Sequence, residues 1–149
     1  VTPADELRAA ADKIRKLAGQ ADDGPWETTW RQQQYHLDGY RDGDLHPISE
    51  WTYAIATWEP QATEQRAECD TANADYIAAM HPGVGKVLAE WLENAAHHYE
   101  CGIQAADDVF RDDPAGREAF LTTGPGAPSS HALAVARAIN GTEQPATGA

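Results

Sequence analysis

The stretch PGVGKVLAEWLENAAHHYECGIQAADDVF, residues 82–110, carries the longest helical period in the chain. Val84, Val87, Leu88, Trp91, Leu92, Ala95, Tyr99, Ile103, Ala106 and Phe110 recur at the spacing of one helix face. Pro82 suits a first helical position, where the missing N–H would have no partner anyway. His81 before it is biased away from helical backbone, so a break belongs there. Asp112-Asp113-Pro114 ends the run, and Gly102 is a weak point inside it. A helix with so wide an apolar stripe needs other elements to cover it.

Upstream, Asp70 or Thr71 caps a short helix to Met80, with Asn73, Tyr76, Ile77 and Met80 on one face. Two extended segments precede it. Trp26 to Leu37 is rich in Thr, Trp, Gln and Tyr, and Trp26, Thr28 and Trp30 share a face if extended. A polar loop runs from Asp38-Gly39 to Pro47, and a second strand follows from Ile48 to Trp58. A lone hairpin is marginal in water, so these strands must pack on helices. At the N-terminus, Thr2 caps a helix with Pro3 first and Asp5 near the positive dipole end. Leu7, Ala10, Ala11, Ile14, Leu17 and Ala18 form its stripe, and Gly19 is positioned to end it. Gly116 to Thr122 suits one or two helical turns. Gly124-Pro125-Gly126-Ala127-Pro128 reads as a linker. A final helix is capped by Ser129 or Ser130 and closed by Gly141.

These readings predict an α+β class: a small antiparallel β-sheet packed against several helices, with a long central helix and a C-terminal helix. Residues 1–123 are expected to form the core domain, 124–141 a linker and C-terminal helix, and 142–149 a flexible tail. At 149 residues the chain has the size of one domain, and 42% apolar content supports a core without staples.

The net charge of −13 comes from 24 acidic residues against three lysines and eight arginines. Such a surface repels phosphate backbones, which argues against direct nucleic-acid binding. It attracts basic partners instead, and one form of that is mimicry of nucleic acid. No stretch reads as a signal peptide or a membrane span. With two cysteines only, a cytoplasmic location with free thiols is expected.

Two places carry a family resemblance: Ala21-Asp22-Asp23-Gly24-Pro25-Trp26 after the first helix, and Asp70-Thr71-Ala72-Asn73-Ala74-Asp75-Tyr76-Ile77-Ala78-Ala79 followed by Pro82 and an apolar helix through Leu92. Together they resemble the ead-type early-region proteins of temperate actinobacterial phages and prophages. The resemblance spans most of residues 4 to 93. Tyr76 stands where Phe is common, and Met80-His81-Pro82-Gly83 where a basic residue often sits. It implies a dispensable accessory protein without established enzymatic activity, with self-association through helices. It supplies no catalytic residues.

Candidate chemistry is sparse. His97 and Cys101 are four apart on the long helix and offer the nitrogen and sulfur that zinc favours. Further ligands would have to come from Cys69, Asp70 or His81; the plainer reading makes Cys101 a small buried hydrophobe. Asp107-Asp108 and Asp112-Asp113 lack an EF-hand frame and read as a solvated face. Ser129-Ser130-His131 reads as a helix cap. No phosphate-binding Gly-rich loop, nucleophile elbow or His-Glu-x-x-His occurs. Five tryptophans stand out. Trp91 is expected in the core, while Trp26, Trp30, Tyr53 and Trp58 are candidate binding aromatics against the commoner role of packing between sheet and helix. The expectation is a non-catalytic protein without a cofactor that binds a host protein or small molecule, with a homo-oligomer possible. The alternatives are a metal-dependent enzyme at His97 and Cys101, and an acidic mimic that occupies a basic host protein.

Overall fold

The computed structural model describes residues 1–32, 41–47, 56–58 and 75–142. Helices make up most of these residues: α1 (Pro3–Gln20), α2 (residues 75–79), α3 (Pro82–Val109), α4 (Pro114–Thr122) and α5 (Ser130–Asn140). Three short strands accompany them: β1 (Trp26–Gln32), β2 (Arg41–Pro47) and β3 (Ala56–Trp58). Contacts divide the chain into two compact units. One comprises Val1–Lys16 with Lys86–Ala149, and the other Leu17–Gly85.

The first unit is built from helices. Its core joins Ala4, Leu7, Ala10 and Ala11 of α1, Ala89, Leu92 and Ala96 of α3, and Ala132, Leu133 and Ala136 of α5. Among the described residues every core member comes from these three helices. Most are alanines, which let helix axes approach at the short end of the usual range of about 8–10 Å. Leu7 and Leu92 are the large side chains buried completely.

Charged groups stitch the helices together around that core. Arg8 of α1 forms a two-pronged pair with Glu100 of α3, one contact at 2.6 Å. Arg15 reaches Glu93 at 2.5 Å. Arg137 of α5 donates to Glu6 at 2.7 and 3.2 Å. Lys13 donates to the Ile139 carbonyl at 2.5 Å, which satisfies an acceptor left open at the end of α5. These hydrogen bonds from arginine hold the Glu6 and Glu100 carboxyls below their ordinary range.

Caps define the helix ends. The Thr2 N–H and hydroxyl donate to Asp5, while the Asp5 N–H donates back to Thr2 Oγ1 at 3.2 Å, a reciprocal capping box. Asp113 accepts from Gly116 N–H and opens α4. Ser129 accepts from Ala132 N–H and opens α5, which Gly141 closes at φ 73°.

In the second unit β1 pairs antiparallel with β2, and β2 with β3. The Gly24–Pro25 turn there lies against His81. A Cβ on Gly24 would stand 2.3 Å from His81 Nδ1. The same nitrogen accepts the Gly83 N–H at 3.1 Å, so His81 caps the start of α3.

The expected α+β class is corrected by these findings: the chain is mostly helical. The anticipated small antiparallel sheet as the layer on which helices pack is replaced by a helix-on-helix core. Burying one alanine-rich face on another needs no sheet, and the strands are seven, seven and three residues long. Local corrections follow. The loop expected at Asp42–Pro47 lies inside β2, because ladder hydrogen bonds with β1 outweigh a weak β-propensity. Gly19 does not stop α1, which runs through Gln20. The second expected strand falls largely on residues 48–55, outside the described residues. Among the described residues no helix is long and apolar enough to cross a membrane.

Candidate functional site

The buried face of α3 is not the stripe read from the sequence, which included neither Ala89 nor Ala96. Ala89, Leu92, Ala96 and Ala106 are the fully buried positions. Trp91, expected in the core, is 42% exposed, and Val87 is 66% exposed. Three of the four buried positions are alanine, and Leu92 is the one large side chain among them. The other large residues are rotated to the edge of that face.

That edge forms one wall of a cleft of about 400 Å³. Trp91, Ala95 and Tyr99 line it at i, i+4 and i+8, so the small Ala95 leaves a notch between two aromatic side chains. Asn94 and His98 form a parallel polar row. The opposite wall is the α4–α5 connection, residues 125–129.

Glycines bring that wall close. A Cβ on Gly102 would lie 3.3 Å from the Gly126 backbone, so the presumed weak point of α3 is where a second chain segment packs. Gly126 itself lies on the Phe120 ring, with a Cβ there 2.2 Å from Phe120 Cε1. Phe120 in turn packs against Phe110, ring centres 5.6 Å apart. The turn is locked by hydrogen bonds from Gly124 N–H to Ala119 O, Gly126 N–H to Phe120 O and Ala127 N–H to Gly124 O. The stretch read as a linker is thus an ordered wall.

Among the described residues no carboxylate, ammonium or guanidinium lines the cleft. It offers an amide, an imidazole, hydroxyls from Tyr99 and Ser129, and aromatic surface. Such a lining suits holding a partly apolar group with a few oriented hydrogen bonds.

The sequence candidates fall elsewhere. Trp26 is half-buried and its indole N–H donates to the Asp22 carbonyl at 3.1 Å. Trp30 and Trp58 occupy register positions on either side of Gly43, on β1 and β3. Tyr53 lies outside the described residues, as do Cys69 and Asp70. Cys101 is exposed rather than buried. Its Sγ lies 3.5 Å from His97 Nε2, and the His97 and His98 rings are 6.4 Å apart. Among the described residues no group of three or more His, Cys, Asp or Glu side chains is placed to hold a metal.

Sequence reasoning placed Tyr99 on the apolar stripe and His98 beside His97, and did not bring them together with Asn94 and the 125–129 wall. The available signal was the Trp-x₃-Ala-x₃-Tyr spacing, which period alone does not separate from a core stripe. Comparison with known proteins finds no matching family model, no matching curated protein and no matching solved structure.

Proposed function

We propose that this chain is a non-catalytic accessory protein of phage or prophage type, acting in the bacterial cytoplasm by binding a host protein or a small molecule. The cleft between Trp91, Tyr99 and residues 125–129 carries this reading. It joins aromatic surface to hydrogen-bonding groups that include the Asn94 amide and the His98 imidazole. The resemblance to ead-type early-region proteins supplies the biological setting, and the charge of −13 favours partners that are basic or neutral over nucleic acid.

The test compares wild type with Trp91→Ala, both purified from host cells expressing them. Native mass spectrometry reads retained small molecules, and cross-linking followed by peptide sequencing reads retained proteins. A saturable ligand present on wild type and absent from Trp91→Ala supports the reading. Conversion of that ligand to product, abolished by one substitution with binding intact, would replace it with an enzymatic one.

A further inference from the structure

On α3, His97 and Cys101 present a nitrogen and a sulfur on one exposed face, one helical turn apart. Their separation, 3.5 Å between Nε2 and Sγ, is chemically specific. With zinc–sulfur near 2.3 Å and zinc–nitrogen near 2.0–2.1 Å, two corners of a tetrahedral site lie about 3.6 Å apart. The pair therefore spans one edge of such a site without a change of rotamer.

Its surroundings suit a cation. Asn94, Gln104 and Ala105 neighbour the pair on the same face, exposed and uncharged, and Asp108 follows one turn on. Glu100, between the two ligands in sequence, is already committed to Arg8. Two ligands make half a site, and no third from the described residues joins them. A two-fold axis supplies the rest: in an isologous dimer the same patch meets itself, so a metal on the axis receives each ligand twice.

We propose that His97 and Cys101 form half of a tetrahedral soft-metal site, and that a second copy of this chain completes it as a Cys₂His₂ zinc centre. Each thiol releases its proton to solvent as its sulfur takes the metal, and no electron is transferred. Two protons leave as one divalent ion enters, so the net charge of the pair of chains is unchanged. The metal–ligand bonds hold together two chains of charge −13 that otherwise repel, so association depends on the metal.

The full chain, reduced and metal-free, is titrated with cobalt(II). The expected result is a thiolate-to-cobalt charge-transfer band in the near ultraviolet with tetrahedral bands in the visible. Both saturate at one cobalt per two chains, while native mass spectrometry shows a dimer carrying one metal. Cys101→Ser and His97→Ala each remove the bands and the dimer. Both positions are exposed, so circular dichroism should show the fold intact. Cys69→Ser keeps the signal. Three results overturn the proposal: no charge-transfer band, saturation at one cobalt per chain without dimer, or loss of the band in Cys69→Ser with retention in Cys101→Ser.

Discussion

Leu92→Ala tests the helical core most directly. Leu92 is fully buried at the middle of α3, and the core around it is mostly alanine. Removing the side chain beyond Cβ deletes three carbons, about 2.4 kcal/mol of transfer free energy at ~0.8 per carbon. Alanine neighbours have no rotamers with which to fill the space. A residual cavity of roughly 60 Å³ then adds about 1.4 kcal/mol at ~24 cal/mol per Å³. The expected total is about 4 kcal/mol, a large fraction of the stability of a small domain. Urea unfolding followed by helical circular dichroism measures it, with Leu17→Ala as the control. Leu17 is 56% exposed and its truncation should change stability by less than about 0.5 kcal/mol. Equal costs at the two positions, or a cost below about 1 kcal/mol at Leu92, would refute the assignment of α3's buried face.

Gly126→Ala should lower stability by about 1–3 kcal/mol, because the new methyl group meets the Phe120 ring; a thermal melt reads this. Gly19→Ala should instead raise it by about 0.5–1 kcal/mol, since α1 is helical there and nothing lies within 4 Å of the new Cβ. Ser129→Ala removes the cap of α5 and should cost about 0.5–2 kcal/mol by urea titration. Hydrogen bonds from Arg137 and Arg8 hold the folded-state pKa values of Glu6 and Glu100 below the ordinary glutamate value, so their contribution is complete above that ordinary value and is lost as pH falls through the depressed folded values. Midpoints measured against pH should therefore fall less steeply on acidification below about 4.5 in a Glu6→Gln, Glu100→Gln variant than in wild type.

The helix ends at Thr2, Ser129 and Gly141 were legible because each rests on a local interaction, whereas Gly19 does not end α1. Thr2, Ser129 and Gly141 satisfy or terminate backbone groups within a few residues, and the structure shows each in that role. Fold class was harder to read. Trp26 to Trp58 has strand-like composition, but composition does not say whether a sheet carries the core. That role went to alanines, whose modest apolarity marks no face in a pattern read from large residues. Ala89 and Ala96 were overlooked, while Trp91 and Val87 drew the stripe toward the surface. The cleft was invisible for a related reason. Its second wall, residues 125–129, lies far from α3 in sequence, and its Gly-Pro content is shared by ordered turns and linkers. His97 and Cys101 were legible as a pair, since i, i+4 spacing fixes their common face.

Charge and fold bear on function together. Four of the eight arginines, Arg8, Arg15, Arg117 and Arg137, are engaged with carboxylates of the same chain. All four pairs join separate helices of the first unit, so cations are spent on holding α1 against α3 and α5, and α4 against α3. The excess of acid remains: Asp108, Asp112 and Asp113 are exposed along the end of α3 and the start of α4. Any approaching molecule therefore meets a field dominated by carboxylates, while the cleft beside it is uncharged. A partner suited to both would place basic groups over the acidic surface and an apolar or aromatic group in the notch at Ala95. The two contributions separate experimentally. Salt should weaken the first within a Debye length of about 8–10 Å, and Trp91→Ala should weaken the second at every ionic strength. A partner whose binding responds to neither would have to use a different surface.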